Sequence, residues 1–146
     1  MPDSLTSDPR RVWYPSVDDI IFTNFGVVSL GLDDKHPHRL LTRPNSIQAV
    51  LDHVRESEAQ GVTYQAAQLM SELVRLHPFA GGNHRTAYIA ACVFLKRNGR
   101  QPSVERFKDG YVFIKDLQNK TVQQIREWLE YGSTEESQRE DHTRNH

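Results

Sequence analysis

Ten consecutive residues, His77-Pro78-Phe79-Ala80-Gly81-Gly82-Asn83-His84-Arg85-Thr86, bring together two imidazoles, a carboxamide, a guanidinium and two adjacent glycines. Glycine lets backbone amides converge on an anion, and a helix opening just after would add unpaired N–H groups and a partial positive charge. Arg85 contributes a permanent planar fork of donors. The segment therefore has the chemistry to hold phosphate. His77, at the other end of the loop, can take a proton from an incoming hydroxyl while the phosphate is held, provided its neutral form persists near pH 7. A plainer reading uses the same residues: His77 and Asn83 cap helix ends, Phe79 plugs the core, and the glycines permit a tight turn.

The elements on either side must face these groups toward each other. Thr63 is placed to cap a helix in which Ala66, Ala67, Leu69, Met70, Leu73 and Val74 spread over a broad apolar surface, implying burial on several sides. Pro78 disfavours a helical conformation at His77, so this helix ends there. A second buried helix should run from Asn83 to Arg97, a segment that contains Ala87, Ile89, Ala90, Ala91, Val93, Phe94 and Leu95 and has Asn98-Gly99 as its stop. Upstream, Ser16 and Asp19 form a capping box before Val17, Ile20, Ile21 and Asn24, in a helix expected to stop near Gly26. Gly31 to Pro44, with Lys35, His36, His38 and Arg39, reads as an exposed loop or short hairpin. Pro44-Asn45-Ser46 then opens a helix carrying Ile47, Val50, Leu51 and Val54 on one face and ending near Gly61. Two amphipathic pieces close the chain, Ser103 to about Leu117 and Thr121 to Tyr131, the latter with a Thr121/Gln124 capping box. No strand series or repeat is visible. The expected fold class is all-α: a compact single-domain bundle over residues 12–132 around a central helix-loop-helix, with a flexible segment at 1–11 and a disordered polar tail at 133–146.

Composition narrows the function. The chain has 146 residues, 37% hydrophobic and 25% charged, enough for one core and little more. A formal charge of −1 provides no general attraction to nucleic acid or anionic membrane, so anion binding must be local. Cys92 is the only cysteine, which excludes an intrachain disulfide or a cysteine-rich zinc site and suits a reducing, cytoplasmic setting. It falls on the apolar face of its helix and is read as a core residue, as are Trp13 and Trp128 at the core or its edge. His36 and His38 make a short pair without a nearby carboxylate pattern, and His142 and His146 lie in the polar tail; no structural metal is expected. No apolar run reaches the length of a signal core or a membrane span.

The segment resembles the Fic/Doc signature, His-any-Phe-any-acid-Gly-Asn-any-Arg, through His77, Phe79, Gly82, Asn83 and Arg85 at the same spacing. More loosely, the likeness extends from about Tyr14 to Tyr131, including the Arg97-Asn98-Gly99 helix end of Doc-like, death-on-curing toxins. The resemblance implies an all-helical transferase that moves a nucleotidyl or terminal phosphate group from a nucleoside triphosphate, with ATP the first choice, to a Ser, Thr or Tyr hydroxyl of a protein, such as a translation factor. It implies His77 as general base, Phe79 as the buried anchor of the loop, and Gly81, Gly82, Asn83, His84 and Arg85 around the phosphates. By similarity of position, Gly31 to Arg43 would be a flap that docks the target segment.

Three positions depart from that pattern. Gly81 stands where the family places the acid that holds magnesium, so a standard magnesium site is not implied. Tyr88 stands where Fic proteins carry a second arginine, which Doc-like proteins also lack. His84 stands where nucleotidyl-transferring members have glycine and Doc has lysine. The dipeptides Glu-Gly and Glu-Asn that end the family's built-in inhibitory helix do not occur in the chain, so the expected inhibitor is an antitoxin supplied in trans. Two other readings stay open: a catalytically degenerate protein that binds a nucleotide or a partner, and a metal-independent ribonuclease using His77, His84 and Arg85. The second lacks a basic stripe and placed aromatics for nucleic acid.

Overall fold

The computed structural model describes residues 11–30 and 38–133. Six α-helices occur among them: α1 (Val17–Ser29), α2 (Pro44–Glu56), α3 (Val62–Leu76), α4 (Asn83–Arg97), α5 (Phe107–Lys115) and α6 (Val122–Tyr131). Single 3-10 turns at Glu58–Gln60 and Leu117–Asn119 precede α3 and α6. The all-helical architecture expected from the sequence is the one observed. No helix of the described residues is long and apolar enough to cross a membrane. The residues of the expected N-terminal segment and tail lie outside the described part except for Arg11 and Ser133, as do Lys35 and His36.

The centre is the antiparallel pair α3 and α4, joined by the His77 loop. Helix α3 also packs against α2 and α6, and α4 against α1 and α5. This explains why α3 is apolar around most of its circumference, with Ala66, Ala67, Leu69 and Met70 fully buried and even Gln65 and Gln68 inside. Alanines on both helices, including Ala87 and Ala91, permit close approach of the two backbones, and Phe94, Leu95 and Ile125 fill the remaining space. Cys92 and Trp128 are buried and Trp13 is half-buried against the core. Asn98 clasps the N-terminal segment to the end of α4: its Oδ1 accepts from Trp13 N–H at 2.8 Å and its Nδ2 donates to Trp13 O at 3.1 Å.

Capping boxes form at Ser16/Asp19 and Thr121/Gln124 as read from the sequence. Elsewhere the boundaries shift for identifiable reasons. Helix α1 continues through Gly26 to Ser29, because burial of Val27 offsets the roughly 1 kcal/mol cost of a mid-helix glycine. Helix α3 is preceded by Gly61 at φ 96°, which places Thr63 inside the first turn rather than at the cap. Helix α5 begins at Phe107 rather than Ser103, since Ser103 is docked on the end of α6 through its N–H to Leu129 O at 2.8 Å and its hydroxyl to Glu130 O. Gly110 brings α5 against α6, where a Cβ would stand 2.5 Å from Trp128 Cζ2.

One surface contact makes the α2–α3 packing sensitive to pH. His53 Nδ1 lies 2.9 Å from Glu72 Oε1, and this hydrogen bond, with the carboxylate's charge, holds the imidazole above its ordinary range. The folded state therefore favours imidazolium. Its contribution is complete below the unfolded value, roughly 6.5, and is lost as pH rises through the raised folded value. With the His53 side chain 58% exposed, the contribution stays under about 1 kcal/mol. Replacing His53→Gln should lower the melting temperature slightly at pH 5.5 and leave it unchanged at pH 9; equal losses at both would show that protonation plays no part.

Candidate active site

Helix α3 ends at His77, whose N–H still donates to Leu73 O at 3.1 Å while its backbone turns left-handed at φ 51°, ψ 57°. It is the one non-glycine residue with positive φ among those described. That conformation costs roughly 1 kcal/mol for a residue with a Cβ, and histidine is among those that adopt it more readily. The turn sends the chain into Pro78 and leaves the imidazole exposed at the mouth of the loop.

Three separate contacts fix the loop from Pro78 to Gly82. Residues 39–41 pair antiparallel with it, Leu41 N–H donating to Pro78 O at 2.7 Å and Ala80 N–H to Arg39 O at 2.9 Å. The first residue of α4, Asn83, is 4% exposed and folds its carboxamide back over the loop. Its Oδ1 accepts from Phe79 N–H at 3.0 Å, and its Nδ2 donates to Phe79 O at 2.8 Å and to His77 Nε2 at 3.3 Å. With both amide hydrogens placed, Nε2 is the accepting nitrogen of this contact, the arrangement of the imidazole tautomer that carries its proton on Nδ1. From the other side Asn24 of α1, fully buried, donates from Nδ2 to Gly81 O at 2.8 Å and to Thr86 Oγ1 at 3.1 Å. Its Oδ1 accepts from His38 Nδ1 at 2.8 Å. Phe79 is 1% exposed, with His38 tilted over it at 6.1 Å between ring centroids.

The loop delivers the chain into an open helix end. Gly82 precedes α4 at φ 74°, and a Cβ there would meet Val27 Cγ1 at 3.0 Å and Asn24 Nδ2 at 3.3 Å, so the position admits glycine alone without rearrangement. Among the described residues no side chain caps α4, and no acid lies in its first turn. The first-turn amides, which have no partner within the helix, and the dipole of that end, with Arg85 at the third position, are suited to an anion. Arg85 lies over Phe107, its Cζ 3.8 Å from the ring centroid, and His84 Nε2 donates to Gln118 Oε1 at 3.0 Å. The donors do not fit a carboxylate-held magnesium: Gly81 offers a carbonyl that already accepts from Asn24, and the described residues contain no cluster of three His, Cys, Asp or Glu placed for a metal.

The structure thus gathers His77, Phe79, Gly81, Gly82 and Asn83 around one loop and sets His84 and Arg85 on the first turn beyond it. Tyr88 faces elsewhere. Its hydroxyl donates to Val104 O at 2.6 Å, its ring contacts Phe107 and Trp128, and burial pushes its ionisation above the ordinary tyrosine range. Asn24, His38, Phe107 and Gln118 were not among the residues the sequence singled out for the site. Asn24 left a trace, a carboxamide on the otherwise apolar stripe of Val17, Ile20 and Ile21, and His38 lies in the basic, histidine-bearing loop read as a flap; Phe107 and Gln118 sit in stretches of ordinary composition. Asn24→Ala leaves Gly81 O, Thr86 Oγ1 and His38 Nδ1 without their partner, so it should cost on the order of 2 kcal/mol in urea unfolding. Amide exchange should accelerate selectively between Gly81 and Thr86, and unchanged exchange there would show that Asn24 does not hold the loop.

Compared with known proteins, the profile of the Fic/DOC family matches residues 16–95, just over half of the chain, from the N-cap of α1 almost to the end of α4. No curated protein matches the chain. The matched stretch contains both helices that carry the loop, the loop itself and the Asn24 brace, and the chain belongs to the Fic/DOC family.

Proposed function

We propose that the chain is a Fic-type transferase that moves a phosphate-containing group from a nucleoside triphosphate, ATP first among them, to a Ser, Thr or Tyr hydroxyl of a cytoplasmic protein. The observation that carries this reading is that His77 Nε2 lies beside the start of α4, linked through the Asn83 carboxamide at 3.3 Å. Base and anion hole are thereby held on one rigid loop, which is the arrangement phosphoryl chemistry needs.

In the proposed reaction the triphosphate lies against the first-turn amides of α4 and the Arg85 guanidinium. The target hydroxyl replaces the long Asn83 contact at His77 Nε2 and gives up its proton there as its oxygen bonds to phosphorus. The bond from that phosphorus to the leaving group breaks, releasing diphosphate if the nucleotidyl group moves or nucleoside diphosphate if the terminal phosphate moves. Charge growing on the phosphate oxygens is met by Arg85 and the helix end. No step runs through a protein-held metal, because Gly81 supplies no carboxylate. Residues 39–41 pair with the loop, and in this reading they would present a target segment beside His77. The proposal extends to a toxin whose inhibitor is a separate polypeptide and whose target is a protein such as a translation factor.

Incubation with cell extract and ATP labelled at the α or at the terminal phosphate should transfer one of the two labels to protein, and the labelled position names the group. His77→Ala should lower that transfer at least about 100-fold. No label from ATP, GTP, UTP or CTP, with His77→Ala indistinguishable from the wild type in cells, would sink the transferase reading and favour a protein that binds without turnover. Gly81→Asp should raise transfer in the presence of magnesium. An unchanged rate would mean that the metal is held otherwise or unused.

A further inference from the structure

The family match ends at residue 95, yet Arg85 is seated on Phe107, the first residue of α5. The guanidinium lies 3.8 Å above that ring, and no carboxylate among the described residues pairs with it. We propose that Phe107 is a positioning residue for phosphate, an aromatic shelf that holds Arg85 over the opening of α4 and so sets how tightly this chain grips the anionic end of its nucleotide. The identity of the ligand rests on the transferase reading; the shelf itself does not.

Three features favour a ring at this place. A long arginine side chain loses rotamer freedom when it binds an anion, and a ring beneath it removes part of that loss beforehand. A carboxylate could fix the guanidinium equally well but would neutralise it and compete with phosphate, whereas a ring attracts the cation without cancelling its charge. A ring also accepts no hydrogen bond in the plane of the guanidinium, so the N–H fork stays available for a phosphate to accept two of its donors. The shelf is itself rigid. Phe107 is met by Tyr88 at 5.9 Å and Tyr111 at 5.8 Å, both near edge-to-face, and Gly110 lets the same helix seat directly on Trp128. Tyr88 therefore has a role toward the site after all: it supports the ring under the arginine it follows.

The test titrates ATP and inorganic tripolyphosphate into the full chain by calorimetry. Phe107→Leu should weaken both by a similar factor, about five- to ten-fold, with Phe107→Tyr within about two-fold of the wild type. In an Arg85→Ala background, Phe107→Leu should add nothing, because its effect passes through the guanidinium. Additive losses, or equal loss with Phe107→Tyr, would overturn the proposal, and urea unfolding of each variant shows that it is folded. Binding of neither probe by the wild type would overturn the transferase reading and the shelf's role toward nucleotide. The contact is decided separately by NMR of the ligand-free chain. The Arg85 Nε–H proton should resonate upfield under the Phe107 ring and return to its ordinary position in Phe107→Leu; an ordinary position in the wild type would show that no shelf exists.

Discussion

A carboxamide removed from water must still satisfy two donors and an acceptor, and a loop that meets those demands has little freedom left. Two buried asparagines impose this constraint on opposite sides of the loop between α3 and α4. Asn83 takes hold of both polar groups of Phe79 and reaches His77; Asn24 holds the Gly81 carbonyl and the Thr86 hydroxyl. The cost of leaving any of these groups unpaired is what keeps Pro78 to Gly82 in one conformation. Everything proposed for the site presumes that conformation, since a proton acceptor and an anion hole act together only at fixed separation.

The helices supply the frame in which those hydrogen bonds are possible. Because α3 and α4 pack along their length, the end of one and the start of the other come to the same surface, with only a short loop between them. Helix α1 crosses near that surface and carries Asn24 into it, while α5 brings Phe107 beneath Arg85. Each polar group of the site therefore depends on the seating of a different apolar face. A core substitution on α1 or α5 would reach the site by moving its braces, with the loop sequence intact.

The backbone at His77 and Gly82 shows how the loop is shaped. Both residues are left-handed, at φ 51° and 74°, and between them the chain reverses direction into the start of α4. The glycine is required by a close approach of Val27 and Asn24; the histidine accepts a modest strain that the Leu73 and Asn83 contacts hold in place. Gly81 differs from both. Its contribution is a carbonyl turned toward Asn24, so the acid expected at this place in the family is replaced by backbone already committed to holding the loop.

Much of this was legible in the sequence. Helical periodicity placed α2, α3, α4 and α6; the Ser16 and Thr121 capping boxes gave two helix starts; and the spacing from His77 to Arg85 identified the family and the residues of its loop. Those features are local, determined by side-chain periodicity and by hydrogen bonds spanning three or four residues. The continuation of α1 past Gly26, the late start of α5, the bracing of Gly81 by Asn24 and the seat of Arg85 on Phe107 were not legible. Each depends on residues far apart in the chain, such as Asn24 and Gly81 or Ser103 and Leu129, and its energy exists only once packing has brought the partners together. The sequence by itself determined which groups could do chemistry and the helices that carry them. The tertiary structure decided how those groups are held, because a buried polar contact is favourable only when the surrounding core excludes water from both partners.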